Sequence, residues 1–283
     1  MNLNLKKSQL IKQNLAESLR IRLRILQLGI KNSWLNDTAY PWDSVANVLG
    51  TIMFTLINIL FFEVIYTRFD NIAGYSRNEI LIFFFMSQLA YYLNSITYYN
   101  VIRIDEYIRK GDFDMLLTKP MPALFYTTFR RISLFHLLRD GLPPLLMFGL
   151  FVDFHAVHIT LTNLLFALVF IIMGLFLEHA LAFLLAVSAV WFGRSRSIVH
   201  MSYVISQVIT GRLPYEAMGK SLRILLTTVI PVAVTTAIST SVLLGKTPPL
   251  PLFWYVLCIT VVFAFLRLYV WKLAMRNYTS ASS

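Results

Sequence analysis

The residues best suited to chemistry in this sequence are Glu178 and His179, an acid and a base that lie side by side in a long apolar stretch. The zinc-binding pattern H-E-x-x-H needs two histidines four residues apart, on one face of a helix. Adjacent side chains on a helix point about 100° apart, so Glu178 and His179 cannot form that pair. We therefore predict no metal site.

Two short motifs resemble part of a phosphate-binding loop. Gly219-Lys220-Ser221 and Gly245-Lys246-Thr247 match the end of the pattern G-x-x-x-x-G-K-[ST]. The first glycine of that pattern is replaced by Pro214 in one motif and by Thr240 in the other, and neither motif follows a predicted strand. The sequence therefore predicts no ATP-hydrolysing site and no catalytic residue of that kind in this chain.

The composition is that of a membrane protein. Of the 283 residues, 57% are hydrophobic and 14% are charged, and the mean hydropathy is +0.65, values that soluble domains do not reach. The net charge of +11 would suggest nucleic acid in a soluble chain, but here the basic residues cluster before and between apolar runs, as the positive-inside rule requires. We therefore expect the lipid bilayer, and no nucleic acid, as a partner.

A charged segment, 102–122, interrupts two long apolar runs, and we call it the joint. Its charged residues alternate with isoleucines and a tyrosine at spacings that predict a short amphipathic helix. Gly111 is predicted to end that helix, and Asp112 to begin a second short one that Pro120 terminates. The alternative is an ordinary solvated loop of a membrane protein.

The N-terminal region, 1–44, is predicted to be a cytoplasmic amphipathic helix followed by an elbow. Leucines recur at helical spacing over 3–30 among basic residues, a pattern typical of helices that lie on an anionic membrane surface. Packing on a soluble partner is the alternative. Trp34, Pro41 and Trp42 then suit a bend at the depth of the headgroups.

The rest of the chain, 45–272, is predicted to be an all-α domain of six transmembrane helices, with a cytoplasmic tail at 273–283. The run 45–66 alone makes about 33 Å of helix, enough to cross a bilayer core. The basic joint and the basic residues after the last run place both termini in the cytoplasm. The predicted spans are 45–66, 79–99, 138–154, 161–192, 197–210 and 252–271.

The fifth crossing is ambiguous in the sequence. Either 197–210 or the longer run 222–244 crosses the membrane, because both crossings together would put the C-terminus outside. We prefer 197–210, and we expect 212–231, which ends at Pro231, to be an outer re-entrant hairpin. Such a broken backbone needs protein or water around it.

Polar residues inside the predicted spans have two possible roles. For Glu178 and His179 these are a polar point on a path through the membrane, and a neutral glutamic acid hydrogen-bonded between helices. Asn58 and Glu63 in the first span form a second, weaker pair. Glu63 lies near the outer end, where it can reach the headgroups.

Several motifs, in order, carry a family resemblance over nearly the whole chain. They are the joint motif Tyr107-Ile-Arg-Lys-Gly111-Asp-Phe-Asp114-x-Leu116-Leu-x-Lys119-Pro120, then Gly211-x-x-Pro214-Tyr-Glu216, and finally Trp271-Lys-x-x-x-Arg276-Asn-Tyr278-Thr-Ser280-Ala. The chain resembles type-2 ABC exporter permeases, more closely the bacterial six-span branch. Arg212 departs from the pattern, because an apolar or small residue is expected there.

The resemblance implies that the joint is a coupling helix that docks on a separate ATPase subunit. It implies a complex of two such ATPase subunits, which would bind ATP and Mg, with a second copy of this permease or a related permease chain, in the bacterial inner membrane. Glu178, His179 and Asn58 would then line the translocation path. The docking residues it implies are Arg109, Asp112, Phe113, Asp114, Leu116 and Lys119.

The function expected from this resemblance is ATP-driven export of an amphipathic or hydrophobic solute. Two alternatives come from other classes of protein. An integral-membrane enzyme acting on lipids would use Glu178 and His179 as acid and base, and would turn over lipid without ATP. A membrane assembly factor would leave solute accumulation unchanged when deleted.

Overall fold

A computed structural model describes residues 2–118, 123–206 and 211–278. Within these ranges the chain is helical, and its only β-pairing is an isolated bridge between Ile72 and Tyr75. The predicted all-α membrane fold is confirmed. The helices up to the joint are α1 (Asn2–Thr38), α2 (Pro41–Tyr66), α3 (Arg77–Val101), α4 (Ile104–Lys110) and α5 (Asp112–Leu117).

After the joint, two long helices alternate with several short ones. A π-helical turn, Leu137–Gly141, joins two of them. The remaining helices are α6 (Ala123–Phe129), α7 (Leu134–His136), α8 (Leu142–Phe151), α9 (Leu161–Val187), α10 (Ala189–Phe192), α11 (Arg196–Ile205), α12 (Lys220–Ile224), α13 (Ser239–Leu243) and α14 (Pro249–Asn277).

Five helical stretches among the described residues are long and apolar enough to cross a membrane. They are Pro41–Tyr66, Arg77–Ile96, Ala123–Phe151, Leu161–Phe192 and Pro249–Asn277. Four of them coincide, within a few residues at each end, with predicted spans. The third predicted span, 138–154, differs, because helical structure begins earlier and ends at Phe151, after which Val152 is extended.

Contacts between distant segments define two ends of the helix bundle. At the end that contains α4 and α5, which we call the joint end, the Asn100 side-chain amide donates hydrogen bonds to the carbonyl oxygens of Thr128 (2.9 Å) and Arg131 (2.6 Å). At the opposite end, the far end, Lys246 Nζ lies 2.8 Å from Glu79 Oε1 and the Asp153 amide donates to Asn78 Oδ1 at 3.3 Å. Because these contacts assign residues to one end of the bundle or the other, they show in which direction the helices run.

The segment from α11 to Tyr215 runs from the joint end to the far end. Val199 is buried with Val101 and Ala274 at the joint end, whereas Tyr215 packs beside Tyr75 at the far end. The predicted fifth span, 197–210, lies in this segment, although residues 207–210 are outside the described ranges. The segment therefore connects the two ends, as a crossing would.

A hairpin follows, and both of its ends lie at the far end. Its first arm, Lys220–Val229, and its second arm, Val234–Leu243, meet at a bend of 109°. Glu216 before the first arm and Thr247 after the second are hydrogen-bonded to each other. The predicted hairpin, 212–231, covers the first arm and ends at the bend, where Pro231 lies between the two arms; the second arm continues beyond it to Leu243.

Helix α9 is the centre of the bundle and contacts α3, α11 and α14. It also contacts the whole second arm of the hairpin, Val234–Ile238 and α13. Its closest approach is at Gly174, where an added Cβ would lie 2.6 Å from the Thr235 Cα. The glycine thus lets the hairpin backbone pack directly against α9. At the joint end, α1 packs in the same way, because a Cβ at Gly29 would lie 2.9 Å from the Phe129 carbonyl oxygen.

Candidate functional site

The joint consists of two short helices that Gly111 separates. Gly111 has φ = 75°, in the left-handed region that glycine adopts without strain. The carboxylate of Glu106 pairs with Lys110 at 2.7 Å, and this ammonium lowers the pKa of Glu106. Arg109 is exposed and lies 3.9 Å from the buried Asp105. The two predicted helices are thus present, with α5 beginning at Asp112.

Phe113 faces the protein. Its ring is fully buried, with centroids 5.9 Å from Trp271 and 5.2 Å from Tyr278, both in edge-to-face contact. Trp271 in turn contacts Phe183 of α9 at 5.6 Å. The resemblance implies that Phe113 is a docking residue; in this structure its ring is buried and attaches α5 to α14, and through Trp271 to α9.

Asp114 is half-buried and lies beside the hydroxyl of Tyr278. Burial, and then the neighbouring carboxyl group, raise the pKa of Tyr278 to about 12. Asp114 therefore belongs to the same contact between α5 and the end of α14 as Phe113 does.

The exposed part of the joint carries two apolar side chains that are not among the predicted docking residues. Met115 and Leu117 are 62% and 44% exposed. Asp112 beside them is also exposed, as are Arg109 and Lys110 at the end of α4. Of the remaining predicted docking residues, Leu116 lies in α5, and Lys119 is outside the described residues.

Glu178 lies at the centre of three helical segments. Its buried carboxyl group accepts hydrogen bonds from the Asn94 amide of α3 and the Thr235 hydroxyl of the hairpin, and the Ser206 hydroxyl at the end of α11 also contacts it. The carboxyl group joins α3, the hairpin and the end of α11 to α9. This is the geometry of an inter-helix contact.

The other two predicted path residues make different contacts. His179 is buried, and its Nε2 has no hydrogen-bond partner among the described residues; its charged neighbour is Arg267 of α14. Asn58 is half-buried on α2, where its side-chain amide donates to the Phe54 carbonyl oxygen at 2.8 Å. The structure does not bring Glu178, His179 and Asn58 together.

A polar cluster at the far end was missed by the sequence analysis. Glu216 accepts hydrogen bonds from the hydroxyls of Tyr75 and Ser241. Burial, and then this hydrogen bond, raise the pKa of Tyr75. Lys246, in one of the two glycine–lysine motifs, pairs with Glu79 and donates to the Gly74 carbonyl oxygen at 2.6 Å. The cluster holds the hairpin to the loop between α2 and α3.

The far-end cluster had a sequence signal. Glu216 closes the Gly-x-x-Pro-Tyr-Glu motif and Lys246 is the lysine of Gly-Lys-Thr. Both are charged residues beside apolar segments, and such residues need polar partners when they are buried. The identity of the partner is not readable from the sequence, because the tyrosine that contacts Glu216 is 141 positions away.

A cavity of about 420 Å³ opens between α2, α3 and the segment that contains Gly211 and Arg212. Asn47 and Thr51 line it from α2, and Gln88 and Tyr91 from α3. Arg212, the residue that departs from the family pattern, also lines it. Across the described ranges, no three side chains of His, Cys, Asp or Glu come together as metal ligands would.

One comparison with known proteins gives a match. The family model described as "ABC-2 family transporter protein" matches residues 52–282, which is most of the chain and includes the joint, the hairpin and α14. Searches of the curated proteins and of the solved structures found no match.

Proposed function

The chain belongs to the ABC-2 family of transporter proteins, and we propose that it is an export permease driven by a separate ATPase subunit. Family membership makes it the multi-pass permease component of an ABC transporter. The outward direction, the amphipathic or hydrophobic solute, two ATPase subunits per complex and a second permease are parts of the proposal. ATP and Mg would be bound by the ATPase subunits.

The distribution of charge supports a cytoplasmic joint end. Acidic residues such as Asp70, Glu79 and Glu216 balance the basic ones at the far end, whereas the joint end has an excess of basic residues, as cytoplasmic ends do. We propose the bacterial inner membrane with both termini inside. The basic residues at the joint end include Arg103, Arg109, Lys110, Arg130, Arg131, Arg194, Arg196, Lys272 and Arg276.

The observation that carries the docking proposal is the exposed surface of α5. Met115 and Leu117 are exposed apolar side chains flanked by Asp112, Arg109 and Lys110. A groove on a partner needs one or two apolar anchors and a few charges that set the register.

The contacts below that surface support a route for movement. Phe113 is packed on Trp271 of α14, and Trp271 on Phe183 of α9. In a close-packed contact, displacement of one element moves its neighbours. A closing ATPase that displaces α5 would therefore shift α14 and α9, the central helix.

The first test is to purify the tagged full-length chain from native membranes and identify the subunits that accompany it. We expect an ATPase subunit. Inside-out vesicles should then accumulate the solute only with ATP. A chain that purifies without any ATPase, from membranes in which solute export proceeds normally, would contradict the proposal.

The second test is directed at the joint. Met115→Ser combined with Leu117→Ser removes both exposed apolar side chains. We expect the affinity for the ATPase to fall about thirtyfold, and the co-purified ATPase to fall with it, because each anchor contributes on the order of 1 kcal/mol. Leu150→Ser is the matched control, since Leu150 is 82% exposed at the end of α8 that faces away from the joint. Equal ATPase recovery from both variants would refute docking at α5.

No observation favours a lipid-modifying enzyme over this function. Glu178 is occupied by hydrogen bonds to α3 and the hairpin, and His179 has Arg267 as its charged neighbour. An acid and a base that act on one substrate must both reach it.

A further inference from the structure

We propose that the cavity between α2, α3 and Arg212 binds an anionic, partly apolar solute, whose anionic group contacts the Arg212 guanidinium. The inference rests on the proposed permease function, and it names the class of solute. It is argued from the depth of the cavity, the state of Arg212 and the chemistry of the walls.

The cavity lies at the middle depth of the bundle. Its lining residues of α2 run from Ala46 to Phe54, within a helix that spans Pro41–Tyr66. Those of α3 run from Phe84 to Tyr92, within Arg77–Val101. An arginine at this depth is costly in lipid, so such residues face a water-filled space or a ligand, and they mark solute pathways.

Arg212 differs from three other arginines, Arg77, Arg139 and Arg267, whose side chains all have partners in the structure. Arg139 pairs with Asp140, and Arg77 with Glu63. Arg267 donates to the Thr128 hydroxyl and lies over the Phe183 ring. The exposed Arg212 has no hydrogen bond, ion pair or ring contact with any described residue.

Among the described residues, the walls of the cavity carry no compensating acid. The lining residues within 46–92 and Gly211 are neutral, and Arg212 is the one charged residue of the described lining. A cationic solute would therefore meet one uncompensated positive charge, whereas an anion would find an unoccupied guanidinium, a donor with fork geometry suited to carboxylate, sulfonate or phosphate.

The other wall groups favour a ligand with an apolar body. Phe54, Phe84 and Tyr91 supply aromatic surface, and Ser87 and Gln88 supply hydrogen-bonding groups. This mixture, in about 420 Å³, is typical of small-molecule sites. The combination of one cation with aromatic walls fits a solute that has an anionic head and an aromatic or aliphatic body.

The test uses two probes that differ by one anionic group. 8-Anilinonaphthalene-1-sulfonate and N-phenyl-1-naphthylamine share the same ring system, and only the first carries a sulfonate. Each is titrated, without nucleotide, into the full-length permease, purified with its accompanying subunits into neutral-lipid nanodiscs, and the signal of empty discs is subtracted. Arg212→Gln, Arg212→Lys and the control Arg68→Gln, an exposed arginine in the loop between α2 and α3, are compared with the parent.

We expect Arg212→Gln to weaken binding of the sulfonate probe about tenfold to a hundredfold, the usual effect of losing a charge-assisted hydrogen bond. Arg212→Lys should retain part of the affinity, and Arg68→Gln all of it. Binding of the uncharged probe should not change in any variant, which also shows that the cavity remains intact.

Three results would overturn the inference. The first is unchanged sulfonate binding in Arg212→Gln. The second is equal loss of both probes, which would mean that shape and not charge is recognised. The third is a change in oligomeric state with unchanged sulfonate binding, which would mean that Arg212 pairs with a second copy of the chain.

The anionic group could belong to a free solute or to a lipid headgroup, and a further arm separates these sources. Replacing a third of the neutral lipid with phosphatidylglycerol displaces the sulfonate probe, in an Arg212-dependent way, only if the site takes a lipid headgroup. The titrations need neither ATP nor transport. Failure of the permease proposal would appear instead as absence of an ATPase or of ATP-dependent uptake.

Discussion

At the scale of single residues, Glu178 shows how a carboxyl group inside a membrane bundle can be structural. A charged or unpaired carboxyl group there is costly, and the protein offsets that cost with hydrogen bonds from Asn94, Thr235 and Ser206. The group therefore stabilises the contact at which three segments meet on α9. Its position alone does not make it part of the translocation path.

Two substitutions of Glu178 separate a structural role from a role in transport. Glu178→Ala leaves the Asn94 amide without its acceptor, and we expect a loss of about 1–3 kcal/mol of stability, the cost of a buried unsatisfied group. Glu178→Gln keeps an acceptor for Asn94 and adds a donor for the Thr235 hydroxyl, so we expect it to lose less than about 1 kcal/mol and to transport normally. Thermal unfolding in detergent and vesicle uptake measure the two effects.

The control for both variants is Glu63→Gln, because Glu63 pairs with Arg77 in a partly exposed contact whose loss typically costs less than about 1 kcal/mol. A stable Glu178→Gln protein that no longer transports would show that the acidic group itself acts on the solute. The structural interpretation of Glu178 would then be wrong.

At the scale of elements, the hairpin depends on a close backbone approach to α9. An added Cβ at Gly174 would lie 2.5 Å from the Thr235 hydroxyl oxygen and 2.6 Å from its backbone nitrogen. Backbone cannot rotate away as a side chain can, so the second arm would have to move as a unit. The same arm also carries Thr235 to Glu178.

We therefore expect Gly174→Ala to destabilise the protein by about 1–3 kcal/mol, the usual cost of overpacking, and to loosen the hairpin first. Hydrogen exchange over 220–243 should rise more than exchange in α14. Gly149→Ala is the matched control, because nothing lies within 4 Å of an added Cβ at Gly149 in α8. Equal stability of the two variants would contradict the close contact.

The turn between α4 and α5 makes a second prediction at this scale. Gly111 has φ = 75°, and an alanine in that conformation costs on the order of 1–2 kcal/mol. We expect Gly111→Ala to reorient α5 and lower the amount of solute moved per ATP hydrolysed, with the transmembrane helices intact. Gly219→Ala, at φ = −64° with open space around it, should not change that ratio; a parallel decrease in both variants would argue against the turn.

Sequence predicted these elements unevenly, for physical reasons. Span positions follow from hydropathy, because each helix must cover its own backbone polar groups in lipid, whatever its neighbours are. The turn at Gly111 follows from local backbone preference. The burial of Phe113 does not follow, because an amphipathic spacing shows that a face is apolar but not whether the chain or a partner covers it. The contacts of Glu216 and Lys246 join segments that are distant in sequence.

At the scale of the whole molecule, the two ends of the bundle differ in charge and in construction. The joint end is basic and presents α4 and α5, whereas the far end is tied together by Tyr75, Glu216 and Lys246. With both termini in the cytoplasm, as proposed, the topology of residues 196–214 determines that of the hairpin. If residues 196–214 cross the membrane, the hairpin must return to the side from which it entered. If they do not, the hairpin must cross.

Single cysteines distinguish these two topologies directly. The natural Cys258 is exposed in α14, so Cys258→Ala gives a background without thiols, since the chain has one cysteine. In that background we expect Lys220→Cys, at the start of the first arm, and Pro248→Cys, after the second, both to react with a membrane-impermeant maleimide in intact cells. Met115→Cys in α5 should react only after permeabilisation. A hairpin that crosses the membrane would place positions 220 and 248 on opposite sides, so that only one of them would react in intact cells, whereas a re-entrant hairpin held by the far-end contacts places them on the same side.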